Sequence, residues 1–159
     1  MDNLLKLLKQ NSRLSDDQLA AMLGTTPEAV AKQIEEYEKS GTIKGYSTII
    51  DDEVVNKDSV TAYIEIRITP QPNTGFDELA NTIMKYDDVE SVYLMSGDYD
   101  LGVMVKGNNI RDIADFVAQR LSALPGVLSA STHIVMKRYK DNGIYLSDNK
   151  VDERSSTTW

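Results

Sequence analysis

The sequence predicts an α+β protein in two parts: a bundle of three short helices, then a four-stranded sheet carrying two helices. Three observations predict it. Up to Gly41 apolar residues recur at helical spacing between capping residues and glycine stops. From Ser59 a strict apolar/polar alternation takes over. The order strand–helix–strand then runs twice, arranged about a hairpin centred on Gly97.

The helices come first. Leu4, Leu5, Leu7 and Leu8 give Asn3 to Gln10 one apolar side. After the break at Asn11 to Leu14, Ser15 is placed as an N-cap, with Asp16 and Asp17 in the first turn and Gln18 at the capping-box position. Leu19, Ala20, Met22 and Leu23 form the inner side of the second helix, and Gly24 stops it. Thr26 caps the third, with Pro27 at its first position, where a missing N–H costs nothing. Val30, Ile34 and Tyr37 give its stripe, and Gly41 ends it. Two short helices joined by a brief turn form a helix-turn-helix. A plain helical hairpin is the alternative that spacing alone leaves open.

Residues 42–50 read as extended and Asp51 to Asp58 as a charged linker. Val60, Ala62, Ile64, Ile66 and Ile68 alternate with Thr61, Tyr63, Glu65, Arg67 and Thr69, a strand near the long end of the usual range. Pro70 to Gly75 is a loop, and Phe76, Leu79, Ala80 and Ile83 mark a helix ending near Lys85. A tight turn at Ser96-Gly97-Asp98 joins two strands, Val92 to Met95 and Leu101 to Val105. Ile110, Ile113, Ala114, Val117, Leu121 and Leu124 mark what the spacing predicts to be the longest helix, stopped by Pro125-Gly126. Val127 to Met136 is the last strand. Val89-Glu90-Ser91 and Val127-Leu128-Ser129 form a faint internal repeat. This order is the split βαβ, ferredoxin-like arrangement, with both helices on one face. Tyr63, Met104, Leu128 and Ile134 fall on assorted parities, so the open face is expected to carry large apolar groups and to be covered by a second copy. Ile144 to Leu146 reads as one more short strand, and Val151 to Trp159 as a loose tail. The expected divisions are 1–46, a linker at 47–58, 59–136, and an extension at 137–159.

The 159 residues are 41% hydrophobic and 26% charged, ordinary for a globular chain. There is no cysteine, which excludes disulfides, thiol chemistry and cysteine-ligated zinc. No apolar run is long enough for a membrane span, and the start, Met1 to Lys6, is unlike a secretory signal; a cytoplasmic protein is expected. The net charge is −8, unhelpful for nucleic acid, but it is unevenly spread. Residues 1–46 carry Lys6, Lys9, Arg13, Lys32, Lys39 and Lys44 against Asp2, Asp16, Asp17, Glu28, Glu35, Glu36 and Glu38, so this part is nearly neutral and the rest holds the acid. An enzyme finds little support. No spacing selects a pair of carboxylates for acid–base work, His133 is the only histidine and reads as a packing residue, and there is no metal cluster or glycine-rich phosphate loop. No cofactor is called for.

Several pieces resemble the Lrp/AsnC (feast/famine) transcriptional regulators. In the first part they are Asn11-Ser12-Arg13-Leu14-Ser15, Leu19-Ala20, Leu23-Gly24, and Val30, Ile34, Tyr37-Glu38, Gly41, Ile43 and Gly45-Tyr46 at the family's spacing. In the second they are Gly97-Asp98-Tyr99-Asp100 and Pro125-Gly126-Val127 followed by Thr132. The resemblance implies that the second part is an RAM-type domain that dimerises through its sheet and binds an effector, usually an amino acid, between dimers. The implied partners are double-stranded DNA, a small-molecule effector and further copies of the chain, as a homodimer with assembly up to an octamer; no membrane is implied.

Carried over by residue, Thr26 to Gln33 is the groove-facing start of the recognition helix. Gly97, Tyr99 and Asp100 border the effector pocket, and Thr132 lies on a strand facing it. With the motif in place, Arg13, Lys32 and Lys44 are candidates for phosphate contacts, the alternative being solvated surface charges. Thr25, Thr26 and Gln33 are candidates for phosphates or base edges, since glutamine can read adenine; Thr26 also reads as a pure cap. Without the family, Asp100 reads as a turn carboxylate bonding backbone. Two departures stand out: Gln33 replaces the arginine that usually precedes the recognition-helix isoleucine, and Ala130 replaces a hydroxyl residue near Thr132. They leave a second reading, an oligomeric small-molecule sensor or paralogue partner with weak or lost DNA binding.

Overall fold

A computed structural model describes residues 2–69 and 75–146. Most of the expected loop after Ile68, residues 70–74, and the expected tail from Val151 lie outside the described residues. The described chain forms two compact units, one of residues 2–49 with 140–145 and the other of residues 50–139 with Leu146.

The first unit holds α1 (Asn3–Gln10), α2 (Asp16–Leu23) and α3 (Pro27–Lys39). Leu4, Leu8, Leu19, Ala20 and Val30 are its buried core, with Leu23, Ile34, Tyr37 and Ile43 packed around them. The expected caps are formed. Ser15 N–H donates to Gln18 Oε1 at 2.9 Å, and Gln18 N–H donates to Ser15 Oγ at 3.2 Å. Gly24 ends α2 in the left-handed region, at φ 66°. Asp2 caps α1 by accepting from Leu4 N–H at 3.0 Å, and it also accepts from the Tyr37 hydroxyl on α3. That hydroxyl, followed by the Leu4 N–H, holds the Asp2 carboxyl below the ordinary carboxylate range. The strand expected at Ile144 to Leu146 is β6 (Ile144–Tyr145), paired with β5 (Lys140–Asp141). Asn142 and Gly143 join them with φ 43° and 91°, the pair of positive angles a two-residue hairpin turn requires.

The second unit begins with a difference from expectation. The charged linker contains a one-turn helix, α4 (Asp52–Val55), because the Asp51 side chain accepts from Glu53 N–H and caps it. Then come β1 (Val60–Ile68), α5 (Asp77–Ile83), β2 (Val89–Leu94), β3 (Leu101–Gly107), α6 (Ile110–Phe116) and β4 (Val127–Ile134). The sheet order is β2-β3-β1-β4, and every pairing is antiparallel. Ala62, Ile64, Ile66 and Ile68 face Val105, Val103 and Leu101 across the ladder, and this face packs with Ile83, Ile113, Phe116 and Leu121 from the helical side. At about 25 cal/mol per Å2 of apolar surface, this layer is the main source of the unit's stability.

Four expectations change. The helix from Ile110 is not the longest; α3 is, at 13 residues. After Phe116 it passes into a π-helical turn at Val117–Leu121, where Ser122 N–H reaches back to Val117 O at 2.9 Å. An ordinary helix would rotate Phe116 and Leu121 apart; the wider turn lets both enter the core. The turn at Gly97 is not tight. It runs from Met95 to Asp100, closed by Met95 N–H donating to Asp100 O at 2.8 Å. Strand β4 stops at Ile134 rather than Met136. Finally, Ile134 pairs with Ala62 and so lies on the helix face, and Leu128 falls at a bulge opposite Arg67/Ile68. The open face carries Tyr63, Tyr93 and Met104 with Glu65, Arg67, Ser129, Ser131 and His133, an aromatic and polar mixture.

Candidate DNA and effector sites

The helix-turn-helix is positioned by local chemistry. The Gly24 stop and the Thr26 cap set the turn, and burial of Leu19, Ala20 and Val30 packs α2 against α3. Thr26 Oγ1 accepts from Ala29 N–H at 3.3 Å, so the hydroxyl caps the helix and keeps its own proton. Thr25, Thr26 and Lys32 are exposed at the start and along the outer side of α3. Gln33 is half-buried and donates to Glu36 Oε2 at 3.5 Å. Arg13 is exposed in the α1–α2 connection. Lys44 lies elsewhere: its Nζ sits 2.7 Å from where a Cβ on Gly41 would be, against the C-terminus of α3. There its charge complements the helix dipole. A 13-residue helix rises about 20 Å, so Lys44 and Thr25 stand at opposite ends. The structure therefore groups Thr25 and Thr26 at the N-terminus of α3, places Lys32 and Gln33 along it, and leaves Lys44 apart. Lys39 is paired with Glu35 at 2.6 Å.

The second candidate site is the β2–β3 loop. Asp100 is its anchor. Its N–H donates to Ile66 O at 3.0 Å, and its Oδ2 accepts from Ile68 N–H at 2.8 Å, which ends β1. The other carboxylate oxygen has no partner among the described residues. Tyr99 is half-buried, and its hydroxyl lies 2.9 Å from that of Tyr63 on β1. Gly97 is exposed, and a side chain there would meet nothing within 4 Å. Thr132 is exposed on β4 opposite Ile64, on the helix face of the sheet, whereas Tyr63 and Tyr99 meet on the open face. One copy of the chain thus brings Tyr99 and Asp100 together and holds Thr132 on the other side.

Three further groups were not among the expected site residues. Tyr63 and Gly102 form a close pair, for a Cβ on Gly102 would overlap the Tyr63 hydroxyl. The signal was in the sequence, since a glycine inside a strand often marks close approach by a neighbour. His133 and Glu65 face each other across β4 and β1 at 3.4 Å. Asp52 on α4 is a hub: Lys106 at the end of β3 reaches it at 2.5 Å, and Arg138 pairs with it while also donating to Ile50 O at 3.3 Å. These contacts join residues far apart in sequence and leave no local pattern. Among the described residues no group of histidine, cysteine, aspartate or glutamate is arranged to hold a metal, and no helix is long and apolar enough to cross a membrane.

A capped helix-turn-helix and a helix-backed antiparallel sheet thus form two units of different kinds. Residues 3–44 match a winged helix-turn-helix DNA-binding domain, and residues 61–145 match the Lrp/AsnC ligand binding domain. The HTH-type transcriptional regulator YugG of Bacillus subtilis (strain 168) is 41% identical over 152 residues, spanning 95% of this chain and 92% of that protein. The leucine-responsive regulatory protein of Escherichia coli (strain K12) is 23% identical over 140 residues, spanning 88% and 85%. In fold, a Neisseria meningitidis transcriptional regulator solved with L-Met aligns at a TM-score of 0.73, with 22% identity over 89% of this chain and 93% of that one. The chain belongs to the Lrp/AsnC family of transcriptional regulators. Its members are regulators that bind DNA and an effector, not enzymes.

Proposed function

We propose that this regulator senses an amino acid, and that the effector sits at the β2–β3 loop with Asp100 taking its ammonium group. The unpartnered oxygen of a half-buried, backbone-anchored carboxylate is the observation that carries the reading. The relatives support it: one is named leucine-responsive, and a Neisseria meningitidis regulator of the same fold was solved with L-Met. Backbone N–H groups near Gly97 and the Tyr99 hydroxyl supply donors for the carboxylate. Thr132 faces the other side of the sheet, so its hydroxyl joins this site only when supplied by a second copy. Calorimetric titration with each of the twenty L-amino acids tests the proposal; no binding by any of them contradicts it.

Assembly is part of the same reading. The open face presents Tyr63, Tyr93 and Met104 beside charges of both signs, a surface that a second copy complements, and dimers then meet so that effector residues come from two chains. Residues 59–136 thus serve as the effector-binding and oligomerisation domain, and 1–46 as the DNA-binding domain. Sedimentation at micromolar concentration should give dimers or larger species. A folded monomer under those conditions contradicts the covered face.

On DNA, Thr25, Thr26, Lys32 and Gln33 form the reading surface, with Arg13 and Lys44 as outlying phosphate contacts. Lys32→Ala should weaken all sequences alike, lowering the salt slope by about one. Gln33→Ala should instead change the preferred sequence, because a glutamine reads base edges. If neither substitution alters binding, the surface lies elsewhere. The Gln33–Glu36 bond and the carboxylates along α3 favour modest affinity, and with it the second reading, a sensor or paralogue partner with weak DNA binding. A flat salt dependence and no preferred sequence would be its signature.

A further inference from the structure

We propose that Tyr63 is a positioning residue for the effector site: lying across Gly102, it donates its hydroxyl proton to Tyr99 and turns the Tyr99 O–H outward as a donor for an anionic group on the ligand. This rests on the effector site proposed above and assigns that site a part its own loop does not contain.

The geometry begins with a glycine. Gly102 sits inside β3, opposite Glu65 on one side and Tyr93 on the other, and it is buried. The Tyr63 ring occupies the space a side chain would take there; a Cβ would stand 2.7 Å from the ring Cζ and 3.1 Å from Cε2. The ring can lean along the sheet only because position 102 has no side chain. From that slot its hydroxyl reaches Tyr99, 2.9 Å away, with the rings edge to face at 6.2 Å and 75°.

Two phenols joined by one hydrogen bond share a single proton between their oxygens, so one hydroxyl proton remains to be offered. The Tyr63 oxygen lies against the Gly102 backbone, and burial, followed by the bond to Tyr99, pushes this phenol up to about 12. With the Tyr63 oxygen packed against Gly102 inside the sheet, the arrangement that leaves a proton for a ligand has Tyr63 donating and Tyr99, on the loop, keeping the outward proton. The loop is tied at Asp100 by the bonds to Ile66 and Ile68, and one residue earlier by the bond between the Tyr99 and Tyr63 hydroxyls. Asp100 and the Tyr99 O–H then present an acceptor for a cation beside a donor for an anion. That pairing suits a zwitterionic amino acid over its neutral-ended derivatives.

The test compares full-length wild type, Tyr63→Phe and Gly102→Ala. Each is titrated calorimetrically with the twenty L-amino acids and with the carboxamide of the tightest binder. Wild type should prefer the acid to the carboxamide by about tenfold or more, and Tyr63→Phe should lose about that factor for the acid alone, the worth of a hydrogen bond to a charged group. Gly102→Ala, which displaces the ring, should reproduce the loss. The melting temperature of Tyr63→Phe should fall by no more than the loss of one neutral hydrogen bond implies, a few degrees, which checks that the variant is folded. Unchanged acid binding in Tyr63→Phe overturns the proposal, and an equal loss for acid and carboxamide reduces Tyr63 to a structural role and overturns it as well. Spectra of carbon-13-labelled tyrosine give a reading that needs no ligand. The Tyr99 ring-carbon signal should move in Tyr63→Phe, and an unmoved signal overturns the positioning. If wild type binds no amino acid while that signal moves, the amino-acid reading has failed and the positioning of Tyr99 has not.

Discussion

Asp100→Asn is expected to lower effector affinity by roughly one to two powers of ten while the sheet stays folded, since a hydrogen bond to a charged group is worth about 1.5–3 kcal/mol. The two halves of that expectation come from the two oxygens. Oδ2 holds Ile68 N–H at 2.8 Å, and an asparagine carbonyl can hold it as well. In the proposed site the other oxygen offers a negative charge to an ammonium group, which an amide cannot replace. Asp100→Ala removes both, leaving the Ile68 N–H unsatisfied at a further cost of about 1–3 kcal/mol in stability. Calorimetry separates these outcomes: loss of binding with an unchanged melting temperature in Asp100→Asn, loss of both in Asp100→Ala. On the proposed reading, in which effector and DNA affinities are linked, Asp100→Asn should also blunt any effector-dependent shift in DNA affinity. Equal effector binding by wild type and Asp100→Asn would move the site away from this loop.

Asp52→Ala is expected to destabilise the sheet unit by about 2 kcal/mol, the scale of losing charge-assisted hydrogen bonds in a partly exposed site. Asp52 has one-fifth of its side chain exposed and holds both the Lys106 ammonium and the Arg138 guanidinium. Without it the Lys106 and Arg138 cations lose the carboxylate they share beside α4. For a unit of this size the loss should appear as a melting-temperature drop on the order of 10 °C. Within this unit Arg138 also donates to the Ile50 carbonyl. Asp51→Ala removes only the α4 cap, at about 1 kcal/mol, and serves as the control. A melting temperature equal to wild type in Asp52→Ala would show that the cluster is a surface arrangement of no energetic weight.

What the sequence made legible was local. The Ser15–Gln18 capping box, the Gly24 stop and the Thr26 cap each depend on residues three or four apart, and each is formed as its spacing implies. The strands were legible because alternation needs only neighbours, and Ala62 to Ile68 and Leu101 to Val105 are the core face the alternation marked. What stayed hidden depends on register. A bulge between Arg67 and Ile68 sets how β4 meets β1, and with it the faces taken by Thr132 and Ile134; no residue of β4 announces it. The π-helical turn after Phe116 shifts the apolar stripe by one residue, which a stripe written for an ordinary helix absorbs unnoticed. In the candidate site, Gly97, Tyr99 and Asp100 were singled out by resemblance, but the groups that Tyr99 and Asp100 bond, the Tyr63 hydroxyl and the Ile68 N–H, come from β1. Asp52, Lys106 and Arg138 converge from three segments, and surface charges in a linker carry no mark of such convergence.

The most direct test of the account is DNA selection coupled to an effector readout. The full-length protein is used to enrich sequences from a random duplex pool at low salt, and its affinity for the enriched sequence is then measured at physiological salt with and without each L-amino acid. The account predicts one enriched sequence, an affinity that falls steeply with salt, and a shift in that affinity by at least one amino acid that is absent in Asp100→Asn. An enriched sequence bound with the same affinity in the presence of every amino acid would contradict it.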